Sequence, residues 1–140
     1  MNRILTALLT VPLGLAGCGG DSPTGTQNPA PPAAQANDIS IVQGASQLTT
    51  TAFTPNPQVV SLGANPSVSV RWVNGDITGG PYDYGGTATA HNITSDTGAF
   101  PASGSLGGNA TYSATLTAAG DYPYHCTIHP NMAGTVTVNP

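Results

Sequence analysis

From Asp38 onward the chain alternates apolar and polar residues in short runs broken by Gly, Pro and Asn. Nothing else in the sequence constrains the fold as strongly. Successive side chains of an extended strand point to opposite faces, so each run has one face to bury. Ile39 and Ile41 alternate with Asp38 and Ser40, and Val68, Val70 and Trp72 face away from Ser67, Ser69 and Arg71. Val59, Val60 and Leu62 follow the stretch that starts at Phe53, and Gly63 turns the chain. Residues Thr87 to Ile93 read as a further strand, and Tyr112, Ala114 and Leu116 as another, before a turn at Ala119 to Asp121. Tyr122, Tyr124 and Cys126 share one face of the next run, and Val136 and Val138 close the series. Helical periodicity is absent beyond a possible turn over Ala99 to Gly104. Seven to eight short strands in roughly 100 residues predict an all-β, two-sheet Greek-key sandwich.

The first part of the chain has a different character. Asn2 and Arg3 precede an apolar run, Ile4 to Leu15, that is too short to span a bilayer and reads as an export signal. It ends in Leu15-Ala16-Gly17-Cys18, which resembles the bacterial lipobox. That resemblance implies cleavage before Cys18 and lipidation of its thiol. Residues 1–17 are therefore expected to be a lipoprotein signal peptide. Residues 18–37 follow as the lipidated cysteine with a Pro/Ala-rich tether, and residues 38–140 as the folded domain. The expected location is outside the cytoplasm, lipid-anchored to a bacterial membrane on its periplasmic or cell-surface side.

Charge narrows the partners. The chain has no Lys and no Glu, and its two basic residues, Arg3 and Arg71, stand against six aspartates. Nucleic-acid binding needs clustered Lys and Arg to displace counterions, so that class is excluded. With Cys18 lipidated, Cys126 has no cysteine to pair with. A lone thiol in an oxidising compartment is exposed to damage, and metal ligation in a folded pocket would protect it.

The stretch Tyr122 to Gly134, YPYHCTIHPNMAG, holds that thiol together with His125, His129 and Met132. Cys126, His129 and Met132 follow the spacing C-x2-H-x2-M, which a tight loop between strands can curl around one ion. His125 neighbours Cys126, so strand alternation aims it at the opposite face. His91, on its own segment, is then the histidine free to complete the set. A thiolate, two imidazoles and a thioether are the donors of a type 1 copper site, and one such copper per chain is expected.

These residues carry a family resemblance. The ligand loop, with His91-Asn92 upstream, resembles the cupredoxins, and within them the short loop of the amicyanins. Phe53-Thr54-Pro55, the segment from Trp72 to Asp76, Phe100-Pro101, Gly120-Asp121-Tyr122 and the run Gly134 to Val138 add to it. The resemblance spans roughly Asp38 to Asn139. It implies an eight-stranded β-sandwich with one copper at its end and outer-sphere electron transfer; the chain is expected to act as a monomer. It further implies that Asn92 gives a backbone N–H to the Cys126 sulfur while its side chain ties to Thr127. His129 would present its ring edge inside an apolar surround of Ile128, Pro130 and Ala133, where redox partners dock. Residues Ile77 to Ala90 depart from the amicyanin pattern as an inserted loop, whose Tyr82 and Tyr84 are candidates to touch a partner.

Other chemistries fit less well. Structural zinc prefers closed Cys/His sets, and a thioether is a poor zinc ligand. A copper enzyme resembling nitrite reductases would need several further histidines at a second copper, and His125 is the one to spare, so no enzymatic activity is expected. Copper delivery or storage on the same fold is the alternative to electron transfer.

Overall fold

The computed structural model describes residues 30–78 and 86–140. The signal segment, Cys18, most of the tether and the loop tyrosines Tyr82 and Tyr84 lie outside the described residues. The strands are β1 (Asp38–Ile41), β2 (Phe53–Thr54), β3 (Gln58–Ser61), β4 (Val68–Asn74), β5 (Thr94–Ser95), β6 (Thr111–Leu116), β7 (Gly120–His125) and β8 (Ala133–Asn139). They form two four-stranded sheets, ordered β2-β1-β4-β6 and β3-β8-β7-β5. Both sheets are mixed, because β1 runs parallel to β4 and β3 parallel to β8, while the other pairings are antiparallel. This is the expected all-β sandwich. No helix among the described residues is long and apolar enough to cross a membrane.

The alternating faces meet as their pattern requires. Ile39 and Ile41 of β1, Val70 and Trp72 of β4, Ala114 and Leu116 of β6, Tyr124 of β7, and Val136 and Val138 of β8 are all buried in one cluster. At about 25 cal/mol per Å² of apolar surface removed from water, this shared interior is the main favourable term holding the sheets together. Trp72 sits at its centre, edge-on to Tyr124 with ring centroids 5.2 Å apart, and stacked on Tyr112 at 5.7 Å. Tyr124 also packs edge-on against Phe53 at 4.9 Å. Its ring crosses Gly134, its cross-strand partner, so closely that a Cβ on Gly134 would collide with it. Burial raises the Tyr124 hydroxyl well above the usual phenol range.

Two expectations differ. The segment Thr87 to Ile93 is not a continuous strand: it pairs through isolated bridges, Ile77 with Ala88 and His91 with Leu106. The Asn74 side chain donates to the carbonyls of Thr89 and Leu106 at 2.8 and 2.9 Å, holding a backbone segment that no strand ladder supports. The one helical turn among the described residues is a 3-10 turn at Ala45–Gln47, not at Ala99 to Gly104. Three residues are too few to leave a periodic signature.

The N-terminal segment joins the sandwich through Arg71. Its guanidinium contacts both carboxylate oxygens of Asp38, at 2.7 and 2.6 Å, and the carbonyl of Ala33 at 2.6 Å. The Asn37 side chain donates to the Ser69 carbonyl at 3.0 Å. The end of the expected tether thus packs on the domain. Its composition hid this, because the contacts are polar and run through Arg71 and backbone carbonyls. Asp38 pairs with Arg71 at one end of the β1–β4 ladder, and Ile41 with Asn74 at the other.

Candidate metal centre

Two separate chain segments, the one carrying His91 and the loop from Cys126 to Met132, bring the donors together beyond the Asn74 end of that ladder. His91 is fixed by reciprocal hydrogen bonds with Leu106, N–H to carbonyl at 3.1 Å and carbonyl from N–H at 2.7 Å. Cys126 follows β7 directly, and strand alternation turns its side chain inward with Tyr124, so that it is fully buried. The loop to β8 is closed by two backbone bonds, from Met132 N–H to the His129 carbonyl at 2.9 Å and from Cys126 N–H to the Met132 carbonyl at 3.1 Å. This short ring fixes Cys126, His129 and Met132 relative to one another without a helix.

The donor atoms of His91, Cys126 and His129 lie within 4.8 Å of one another. Both imidazoles present Nδ1: the two nitrogens are 3.2 Å apart, and each is 3.9 Å from Cys126 Sγ. Bonds of about 2.0 Å to nitrogen and about 2.3 Å to sulfur are typical of a first-row divalent ion. In a trigonal plane they require nitrogens roughly 3.5 Å apart and each roughly 3.7 Å from the sulfur. The spacing found here matches that triangle, so the residues fit a copper ion. Met132, the further donor expected from the sequence, is completely buried at the end of the loop.

The surroundings suit a thiolate. The Asn92 backbone N–H points at Cys126 Sγ from 3.4 Å. Its side chain meets Thr127 in both directions, donating to Oγ1 at 2.6 Å and accepting from the backbone N–H at 2.8 Å. Burial holds the His91 imidazole below its ordinary pKa, against the opposing pull of Asp76, with neighbouring His129 lowering it further. A neutral ring is the form that can ligate a metal. His129 is partly exposed, beside the exposed Ile128, Pro130 and Ala133. His125 lies on the opposite side of the strand from Cys126 and pairs with Asp96 through Nδ1. Among the described residues, no other group of three His, Cys, Asp or Glu converges as a metal site.

Two residues of this region, Asn74 and Asp76, lie in the Trp72 to Asp76 segment that carried the resemblance but were given no role from the sequence. Asp76 is almost fully buried and contacts His91 Nε2 through Oδ2 at 2.9 Å. Asn74 is completely buried and accepts the Asp76 backbone N–H at 3.0 Å. The available signal was positional: Asn74 and Asp76 continue the inward phase of Val70 and Trp72, where an apolar residue is the ordinary choice.

Residues 37–139 match the copper binding proteins, plastocyanin/azurin family. With the sandwich and its buried Cys–His cluster, this establishes the class: the chain belongs to that family, and it binds one copper. Among solved structures, it is similar to a purple cupredoxin from Nitrosopumilus maritimus, with 24% identity and a TM-score of 0.56, covering 73% of this chain and 98% of that one. It is also similar to a mutant amicyanin in its reduced Cu(I) form at pH 4, with 25% identity, a TM-score of 0.51, and coverage of 76% and 86%. A copper-containing nitrite reductase from Thermus scotoductus shares the fold at 21% identity and a TM-score of 0.50, over 74% of this chain but 22% of the enzyme. No curated protein matches significantly.

Proposed function

We propose that this protein carries single electrons between redox partners outside the cytoplasm, using a copper held by His91, Cys126, His129 and Met132. The observation that carries the reading is the triangle of Cys126 Sγ and the two Nδ1 atoms, with His91 and Cys126 buried and His129 at the rim. Bound there, copper supplies a one-electron couple between Cu(II) and Cu(I).

The protein's part is to keep that geometry constant. The Leu106 bridge holds His91, the Met132-to-Cys126 ring holds the loop, and the Asn92–Thr127 pair locks one to the other. Donors that cannot rearrange keep the cost of changing oxidation state small. The Asn92 N–H places partial positive charge against the sulfur and tunes its donor strength. His129, at the rim, is the route for the electron, and Ile128, Pro130 and Ala133 give a small apolar surface suited to brief docking. His125, turned away and paired with Asp96, provides no second copper centre, so the reading is of a carrier and not an enzyme. Residues 1–17 would direct export, and lipid on Cys18 would anchor the domain, as a monomer, to the outer side of a bacterial membrane.

The test is to load the purified domain with Cu(II) and record visible absorption, electron paramagnetic resonance and electron self-exchange. One equivalent of copper, an intense thiolate-to-copper band, narrow hyperfine splitting and fast exchange are expected. Slow exchange with ready transfer of copper to an acceptor would replace the reading with copper delivery, and a colourless zinc-preferring protein would reject it.

A further inference from the structure

The carboxylate of Asp76 sits behind His91, on the side of the ring away from the donor triangle. Oδ2 is 2.9 Å from His91 Nε2, and both side chains are essentially inaccessible to solvent. Oδ1 accepts the Gly44 backbone N–H at 2.7 Å. The Asp76 backbone is held as firmly, its N–H donating to Asn74 Oδ1 at 3.0 Å and its carbonyl accepting from Thr89 N–H at 3.0 Å. Four attachments on three chain segments therefore fix where this carboxylate lies. Burying a carboxylate that accepts so few hydrogen bonds is costly, and an apolar residue at this core position would avoid that cost.

We infer that Asp76 is a positioning residue for the copper ligand: it holds His91 as the Nε2–H tautomer and thereby presents the bare Nδ1 to the metal. The inference rests on the reading of His91 as a ligand. A neutral imidazole has one protonated and one bare nitrogen, and the hydrogen bond at one decides the state of the other. The group that meets Nε2 is a carboxylate oxygen, an acceptor, so the ring proton belongs on Nε2 and Nδ1, facing Cys126 and His129, carries the lone pair. The ligand is therefore in its binding-competent form before any metal arrives. Histidine ligands of metals commonly have such a partner, which fixes ring orientation and raises the basicity of the ligating nitrogen. A negative charge one imidazole away also favours Cu(II) over Cu(I), so Asp76 lowers the reduction potential.

The isosteric change Asp76→Asn is informative because an amide cannot do the same work. Asp76 faces two N–H donors, from Gly44 and from His91. An amide has a single acceptor oxygen and must turn its NH2 toward one of them. Turned to His91, it selects the Nδ1–H tautomer, which cannot ligate; turned to Gly44, it leaves two donors opposed in the core.

Nitrogen-15 NMR of the wild-type apoprotein tests the tautomer without copper and without a variant. His91 is expected with Nε2 protonated and Nδ1 bare, and an Nδ1–H tautomer would overturn the inference. In the diamagnetic Cu(I) protein the His91 Nε2 proton should remain visible and slow to exchange with water, and rapid exchange would count against the buried bond. In Asp76→Asn, Cu(II) affinity should fall about tenfold to a hundredfold and Cu(I) affinity less. The potential should then rise by about 59 mV for each tenfold difference between the two losses. Unchanged affinity and potential in a folded Asp76→Asn protein would refute the positioning role. If that variant does not fold, the two wild-type measurements decide. A wild type with the Nε2–H tautomer that takes up no copper would instead remove the electron-carrier reading and leave the tautomer assignment standing.

Discussion

Asn92 and Thr127 exchange two hydrogen bonds, at 2.6 and 2.8 Å, across the gap between the His91 segment and the ligand loop. They are 35 residues apart in sequence, so the pair ties two distant parts of the chain beside the thiolate. Asn92→Ala removes both bonds and leaves the backbone N–H toward the sulfur in place. The apoprotein should lose about 1–2 kcal/mol of stability, measured by denaturant unfolding, while copper is still bound. An unchanged unfolding midpoint would show that the pair contributes nothing to loop closure.

Ligand substitutions separate the equatorial donors from the axial one. Cys126→Ser should abolish the intense visible band, since a hydroxyl cannot replace a thiolate as a soft donor. Met132→Leu should keep copper and colour and raise the reduction potential, because losing a weak axial donor disfavours Cu(II) more than Cu(I). Loss of copper from Met132→Leu would show that the thioether is needed to hold the ion.

His125→Ala should leave one copper per chain and an unchanged spectrum, because the ring points away from Cys126 toward Asp96. Metal analysis giving two tightly bound coppers in the wild type and one in the variant would contradict this.

Arg71 holds the Asp38 carboxyl below its ordinary pKa through their hydrogen-bonded ion pair. A carboxylate whose folded pKa is depressed adds stability that is complete above the unfolded value, about 3.9, and lost as pH falls from there through the folded value. Asp38→Asn should therefore unfold at lower denaturant than wild type at neutral pH, and the two curves should converge in strong acid. A gap that persists at the lowest pH would assign the effect to packing.

Gly134→Ala tests the aromatic core. The added Cβ would collide with the Tyr124 ring, which cannot yield because Phe53 and Trp72 pack edge-on against it. A loss of about 1–3 kcal/mol is expected by thermal or denaturant unfolding.

The sequence made the sandwich legible because alternation was strong where a strand buries one face, as in Ile39 and Ile41 or Val70 and Trp72. The Cys126–His129 loop was legible because its donors are close in sequence and scarce elsewhere. What escaped notice depended on contacts between distant segments. Residues Thr87 to Ile93 have strand-like composition, yet their backbone is held by the Asn74 amide and single bridges. Asp76 is one aspartate among six, and its burial follows only from where β4 carries it.

The Arg71 clamp on Asp38 and Ala33 sets a direction for the whole domain. It lies at the start of the β1–β4 ladder, whereas Asn74 and Asp76, at the finish, lead into the metal centre. Three residues of strand, roughly 10 Å, separate Arg71 from Asn74 before the chain reaches His91. Whatever is attached upstream therefore pulls on the heel of the molecule and leaves its toe clear. A large fusion partner or a surface joined to the N-terminus should leave the approach to His129 open, whereas cargo grafted beside Ile128 would block it.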